Sequence, residues 1–391
     1  MSSFIAATAT ALPSHYYSQD ELIAAFREMW AGRHYNLDRL EQFHRNVLVG
    51  GRHLALTIPE YSDLKGFEET NAAWTRVALE LGERVLRDLL DATELPPGDV
   101  RELIFTTITG LAVPSIDARL MNRIEFSPAL KRVPLFGLGC LAGAAGVARL
   151  HDYLTGHPTE AGILLSVELC SLTLQRDDVS IPNIISSGLF GDGAAAVLMT
   201  GSEHPLALRS REARARGVTR GSSESDKVEP ADAIAGVPLS RLPRVIDSRS
   251  IFFPDSERVM GWDIVDTGFK IVLSSDVAPF ARERLRPGLE AFLGEYNLGV
   301  RDIETWVAHP GGPKVIESMV EGLDLAPGAL DLSLESLARV GNLSSASVLF
   351  VLQETLKTKS PAPGSYGILL AMGPAFCAEV VLLQWPGGGE E

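Results

Sequence analysis

Six consecutive apolar residues, Ala194-Ala-Ala-Val-Leu-Met199, leave a β-strand no polar face to turn toward water. Residues 163–167 and 103–109 are nearly as apolar and rich in β-formers, and 133–138 form a further run. A strand buried on both faces needs a sheet covered by helices on either side. Helical patterns do alternate with these runs. Ser18 starts one as a good N-cap, residues 69–91 carry apolar side chains at helical spacing, and 276–296 and 314–322 repeat the style later. Alternating strands and helices imply an α/β architecture.

The segment after Cys140 narrows this further. Residues 141–154 are dense in Ala and Gly and then aliphatic, which predicts a closely packed, centrally buried helix. In the second half a short strand at 305–308 runs into His309-Pro-Gly-Gly-Pro, and Asn342-Leu-Ser-Ser-Ala opens another helix. The apolar stretch 367–383, interrupted by Gly373, Pro374 and Glu379, predicts two buried strands around a turn rather than a membrane helix. Both halves place what reads as an exposed polar residue where a buried strand meets a helix, suggesting duplication without an obvious sequence repeat. Five arginines between 209 and 220, then the polar stretch 222–232, read as a solvated strand edge and a connection between halves. The border is expected near 225, giving units 1–225 and 226–391.

Composition excludes several function classes. With 35 basic against 50 acidic residues the net charge is −15, unsuited to neutralising nucleic-acid phosphates. Three cysteines, far apart, make neither a disulfide framework nor a CxxC pair, and the eight histidines form no HExxH, so no metal is expected. No basic residue precedes the short apolar stretch at the N-terminus, so no secretory signal is read there, and the expected setting is cytoplasmic with no membrane insertion. Gly191-Asp-Gly-Ala-Ala-Ala lacks the spacing of a dinucleotide fingerprint.

The candidate chemistry centres on Cys140, at a strand end and a helix start between glycines. A thiolate there gains from the helix dipole, which lowers its pKa. His309, fixed by a rigid turn, is the candidate partner base, and Asn342 a neutral donor. Cys, His and Asn together supply a nucleophile, its charge partner and two donors able to hold a thioester oxygen as it becomes an enolate.

Gly-Cys140-Leu-Ala-Gly-Ala-Ala-Gly, Leu189-Phe-Gly-Asp-Gly-Ala-Ala-Ala, Ala308-His-Pro-Gly-Gly-Pro and Gly341-Asn-Leu-Ser-Ser-Ala resemble, in order, the type III polyketide synthases, the chalcone synthase-like family. Gly373-Pro374 resembles that family's C-terminal loop, although Ala375 stands where glycine is usual. The resemblance runs from about residue 45 to 385. It implies the thiolase fold, two duplicated α/β halves layered as αβαβα, and a homodimer. It implies that Cys140 carries the growing acyl chain while His309 and Asn342 drive decarboxylation of malonyl-CoA, with CoA thioesters as substrates and no cofactor. It places Phe190 and Phe269 as gates between CoA tunnel and cavity, Arg52 and Lys314 as CoA contacts, and Thr109, Val113, Glu168, Cys170, Thr173 and Ser344 as cavity residues.

Cys170 and the small Val113 resemble bacterial members that admit a long acyl chain, each buried methylene contributing ~0.8 kcal/mol. The favoured expectation is therefore a long-chain fatty acyl-CoA starter extended with malonyl-CoA to an alkylpyrone or alkylresorcinol. Tetrahydroxynaphthalene synthases, which use malonyl-CoA alone, can also carry cysteine at that site and form the alternative, alongside a single-condensation enzyme like ketoacyl synthase III.

Overall fold

The computed structural model describes residues 2–33, 36–219, 233–234 and 237–387. Among these residues nine strands join in one sheet, labelled here in chain order. They are β1 (Ser3–Ala11), β2 (Val100–Thr107), β3 (Lys131–Phe136), β4 (Ala161–Leu169), β5 (Asp192–Gly201), β6 (Arg244–Phe252), β7 (Ile303–Ala308), β8 (Tyr366–Gly373) and β9 (Cys377–Gln384). Their spatial order is β7-β8-β9-β6-β1-β5-β4-β2-β3. Every residue of β4 and β5 is buried, as their apolar runs require.

Duplication is written in the pairing. β1 is antiparallel to β5, β5 antiparallel to β4, and β4 parallel to β2. In the second half β6 is antiparallel to β9, β9 antiparallel to β8, and β8 parallel to β7. The halves meet where β1 pairs with β6 through Ser3–Val245 and Phe4–Arg244 alone.

Five layers result. Helix α1 (Phe67–Thr93) covers the outer face of the first half against β1, β4 and β5. Helices α2 (Ala142–Gly156) and α6 (Ser347–Thr358) touch each other and strands of both halves, so they form the central layer. Between them in sequence come α3 (Ile181–Leu189), α4 (Val277–Gly294) and α5 (Pro313–Leu323). Ile368, Leu370, Val380 and Leu382 share a core with residues of α4 and α5, while Leu369, Ala371, Val381 and Leu383 join the central core. That two-residue alternation splits each strand between two cores. The arrangement is the thiolase fold, with duplicated αβαβα layers.

The Ala/Gly-rich start of α2 has a steric cause. A Cβ on Gly143 would lie 2.3 Å from the Ser345 carbonyl oxygen, so only glycine lets the two central helices meet at their N-terminal ends. Ser18 caps its helix as expected, its Oγ accepting from Glu21 N while the Glu21 carboxylate accepts from Ser18 N.

Two expectations are corrected. The arginine-rich segment is not a strand edge: residues Pro205–Thr219 are helical, started by Pro205 and built of good helix formers, and Arg214 is buried. The polar residues at the strand–helix junctions are not exposed, because both lie under the central layer: Cys140 is 8% and His309 6% accessible. Residues 222–232 and the expected border at 225 lie outside the described residues. Among the described residues no helix is long and apolar enough to cross a membrane.

Candidate active site

The two central helices start alike. A 3₁₀ turn, Gly139–Leu141, leads into α2 and contains Cys140; another, Ser344–Ala346, leads into α6 just after Asn342. His309 follows β7, its N–H donating to Leu370 O of β8 at 2.8 Å. The fold thus delivers one group from each of three strand or helix ends. Cys140, His309 and Asn342 line a single cavity of about 350 Å³, together with Phe190, Met260 and Lys314.

The Cys140 Sγ lies 3.6 Å from Ser344 Oγ. Burial pushes its thiol up to about 12, against the expectation of a lowered pKa, because desolvation outweighs the hydrogen bond from Ser344 and the nearby helix start. Burial likewise drives the His309 imidazole down to about 3. Neither group charges alone. A thiolate at Cys140 would need an acceptor for its proton inside the cavity, and His309 Nδ1, on the same cavity, has no hydrogen-bond partner among the described residues. Asn342 Nδ2 donates to Gly311 O at 3.2 Å, and its Oδ1 accepts from Ser344 N at 2.8 Å. An amide NH₂ has two donors, so one N–H is left for a ligand.

The remaining expected residues separate into groups. Ser344 adjoins the nucleophile, and Lys314 is exposed at the start of α5 on the same cavity. Phe190 divides this cavity from a smaller one, about 70 Å³, lined by Cys170, Thr173 and Arg52. Phe269 packs edge-on against Phe67 and lines a third cavity of about 240 Å³ with Phe136 and Trp262, which adjoins the other two through the shared Met260 and Trp262.

Glu168 and Thr109 do not line these cavities. The Glu168 carboxylate accepts from Ile108 N at 3.0 Å, from Thr109 Oγ1 at 3.0 Å, from Thr107 Oγ1 at 3.2 Å and from Ser345, so both polar groups are used up in a buried network. Val113 is 97% accessible on the loop after β2, where it can line nothing within its own chain. Arg52 is 1% accessible, and Nη1 donates to Ser187 O and Phe190 O at 2.6 and 3.0 Å. With Nη1 taken by these carbonyls and the whole side chain buried, Arg52 does not present a cation to a CoA phosphate at the surface.

Met260 and Trp262, on the hairpin of strands Met260–Val265 and Gly268–Leu273, carry no motif and escape a sequence reading. Their signal is two large apolar side chains either side of Gly261 on a strand whose residues are half-buried or exposed.

Comparison with known proteins gives a consistent picture. Residues 2–203 match the family "Chalcone and stilbene synthases, N-terminal domain" and 245–385 the corresponding C-terminal domain. The chain is 45% identical over 97% of its length, and 93% of the relative's, to a 1,3,6,8-tetrahydroxynaphthalene synthase of Streptomyces peucetius subsp. caesius. It is 33% identical over 99% of its length to a putative chalcone synthase of Bacillus subtilis (strain 168), covering 100% of that protein. Among solved structures, the 1,3,6,8-tetrahydroxynaphthalene synthase of Streptomyces coelicolor A3(2), a bacterial type III polyketide synthase, superposes with a TM-score of 0.83 at 26% identity, covering 98% of this chain and 99% of that one.

Proposed function

The chain belongs to the chalcone and stilbene synthase family, the type III polyketide synthases, and from that membership we propose that it builds a polyketide from malonyl-CoA alone, as a tetrahydroxynaphthalene synthase does. The 45% identity over 97% of the chain carries this reading. The cavities lend it support. The cavities do not favour a long acyl starter, since Cys170 lines a space of about 70 Å³ against about 350 Å³ beside Cys140. A single-condensation enzyme like ketoacyl synthase III has no support among the family matches.

Each group then has a defined task. Cys140 Sγ passes its proton to His309 and attacks a malonyl thioester; the carbon–sulfur bond to CoA breaks, and the CoA thiolate leaves with that proton. A second malonyl-CoA places its thioester oxygen against the His309 imidazole and the free N–H of Asn342. Its carboxylate departs as CO₂, and the bonding pair moves into an enolate held by those two donors. The enolate carbon attacks the acyl–Cys140 carbonyl, the new carbon–carbon bond forms, and Sγ is released as thiolate for the next round. The loss of CO₂ itself drives the step, so this chemistry calls for CoA thioesters as substrates and for no cofactor. In this reading Lys314, exposed beside the cavity at the first turn of α5, meets an anionic part of CoA. A homodimer covering Leu111 and Val113, exposed together on one loop, completes the reading.

The test offers the purified protein malonyl-CoA with and without a series of acyl-CoA starters and resolves products by mass spectrometry. The same product in every tube supports the reading. Alkylpyrones or resorcinols whose mass tracks the starter would replace it with the long-chain alternative.

A further inference from the structure

Arg52 is one of the largest fully buried side chains, and its position raises the question of what a buried guanidinium holds. Its partners lie at the C-terminal end of α3, the helix that runs straight into Phe190. The last four carbonyls of a helix have no partner within it and need one from outside. Here each is matched. Ser186 O accepts from Phe190 N at 2.9 Å, Ser187 O from Arg52 Nη1 at 2.6 Å, Gly188 O from Gln19 Nε2 at 3.0 Å, and Leu189 O from Asn342 N at 2.9 Å. One turn earlier, Ile184 O lies 2.9 Å from Nε2 of the fully buried His44. A cation among these caps also complements the negative end of the helix dipole.

The same contacts reach the catalytic asparagine. Asn342 N donates to Leu189 O while Gly191 N donates to Asn342 O, also at 2.9 Å, so the α3–Phe190 segment and the Asn342 segment are tied by a two-bond bridge. Arg52 Nη1 holds the Phe190 carbonyl inside that bridge. Gly341, at φ +76°, makes room: a Cβ there would sit 2.8 Å from Leu189 O and 3.1 Å from Arg52 Cδ. Asp192 faces Arg52 and offsets its charge.

We propose that Gln19, His44 and Arg52 form a buried clamp on the end of α3, with Arg52 the positioning residue that fixes the Asn342 backbone for decarboxylation of malonyl-CoA. Arg52 touches no substrate in this role; it acts through Phe190 and Asn342. The inference rests on the assignment of Asn342 as an enolate donor made above.

The experiment separates the decarboxylation step from the nucleophile. In a Cys140→Ala background, Arg52→Met is expected to lower kcat for malonyl-CoA decarboxylation about 10- to 100-fold, the scale of a misplaced catalytic group. KM should stay within about twofold, since no substrate contact is removed. In the background that retains Cys140, the same substitution should leave its alkylation by iodoacetamide unchanged. Arg52→Lys, which can still donate to one carbonyl, should recover part of kcat. If Arg52→Met does not fold, Gln19→Met is expected to show the same split. Decarboxylation and alkylation falling together, or decarboxylation left intact, would overturn the clamp. Asn342→Ala serves as the reference: its loss of decarboxylation keeps the underlying reading in place, and its retention would remove that reading and the clamp with it.

Discussion

Replacing His309 with glutamine keeps the volume and polarity of the side chain but removes its proton acceptor. Burial holds the Cys140 thiol at about 12 in the intact chain, beside an uncharged His309, so a thiol with no acceptor for its proton has no other route to a thiolate. At pH 7.5 such a thiol is ionised to only about 3 parts in 100,000. An unperturbed cysteine at about 8.5 would be roughly 10% ionised at that pH, so burial without a partner costs more than three decades of thiolate. In the intact protein the proton has somewhere to go, because His309 lines the same cavity and carries an unpartnered ring nitrogen. The rate of iodoacetamide alkylation at Cys140, followed by peptide mass spectrometry, reads the thiolate directly. With His309 taking the proton, the wild-type rate should rise by much less than tenfold per pH unit between pH 7 and 9. The His309→Gln rate should be at least about 100-fold lower at pH 7.5 and climb about tenfold per pH unit through pH 9 without a plateau. Superimposable profiles for the two proteins would refute the transfer of the proton to His309.

Other outcomes follow from the same geometry. Cys140→Ala should form no condensation product yet still release CO₂ from malonyl-CoA, because His309 and Asn342 remain; radiolabelled CO₂ release checks this. Gly143→Ala forces a methyl group to within 2.3 Å of Ser345 O, and should cost about 1–3 kcal/mol in chemical denaturation along with most activity. In Cys140→Ala no thiol can hand on a proton, so His309, held near 3 by burial, stays unprotonated where the unfolded chain takes up a proton at about 6.5. Its contribution is therefore present above pH 6.5 and lost as pH falls toward 3. Between pH 7 and 5 Cys140→Ala should lose on the order of 2 kcal/mol more stability than the double variant with His309→Gln, read from urea midpoints at the two pH values.

Sequence alone locates what local chemistry dictates. Strands β4 and β5, the buried helix after Cys140, and the hairpin of β8 and β9 follow from hydrophobic runs and glycine density, because burial on both faces leaves few alternatives. Cys140, His309 and Asn342 are legible because each sits where a strand or helix ends beside glycine. What sequence cannot carry is direction. Arg52 reads as a CoA contact until the carbonyls at the end of α3 are seen to claim it, and Glu168 reads as a cavity acid until Thr109, Thr107 and Ser345 surround it. For Val113 too, its exposure within this chain depends on how the loop after β2 leaves the sheet, which no local pattern records. The topological repeat shows in the sequence only as a parallel between strand–helix junctions, because strand order and sense persist without an obvious sequence repeat.

The most direct test of the central claim feeds the purified protein uniformly ¹³C-labelled malonyl-CoA as the sole thioester. The account predicts an aromatic product in which every carbon is labelled, with labelled CO₂ released alongside it, and no product from Cys140→Ala. An absence of product until an unlabelled acyl-CoA is added, with that acyl group then appearing intact in the product, would contradict it.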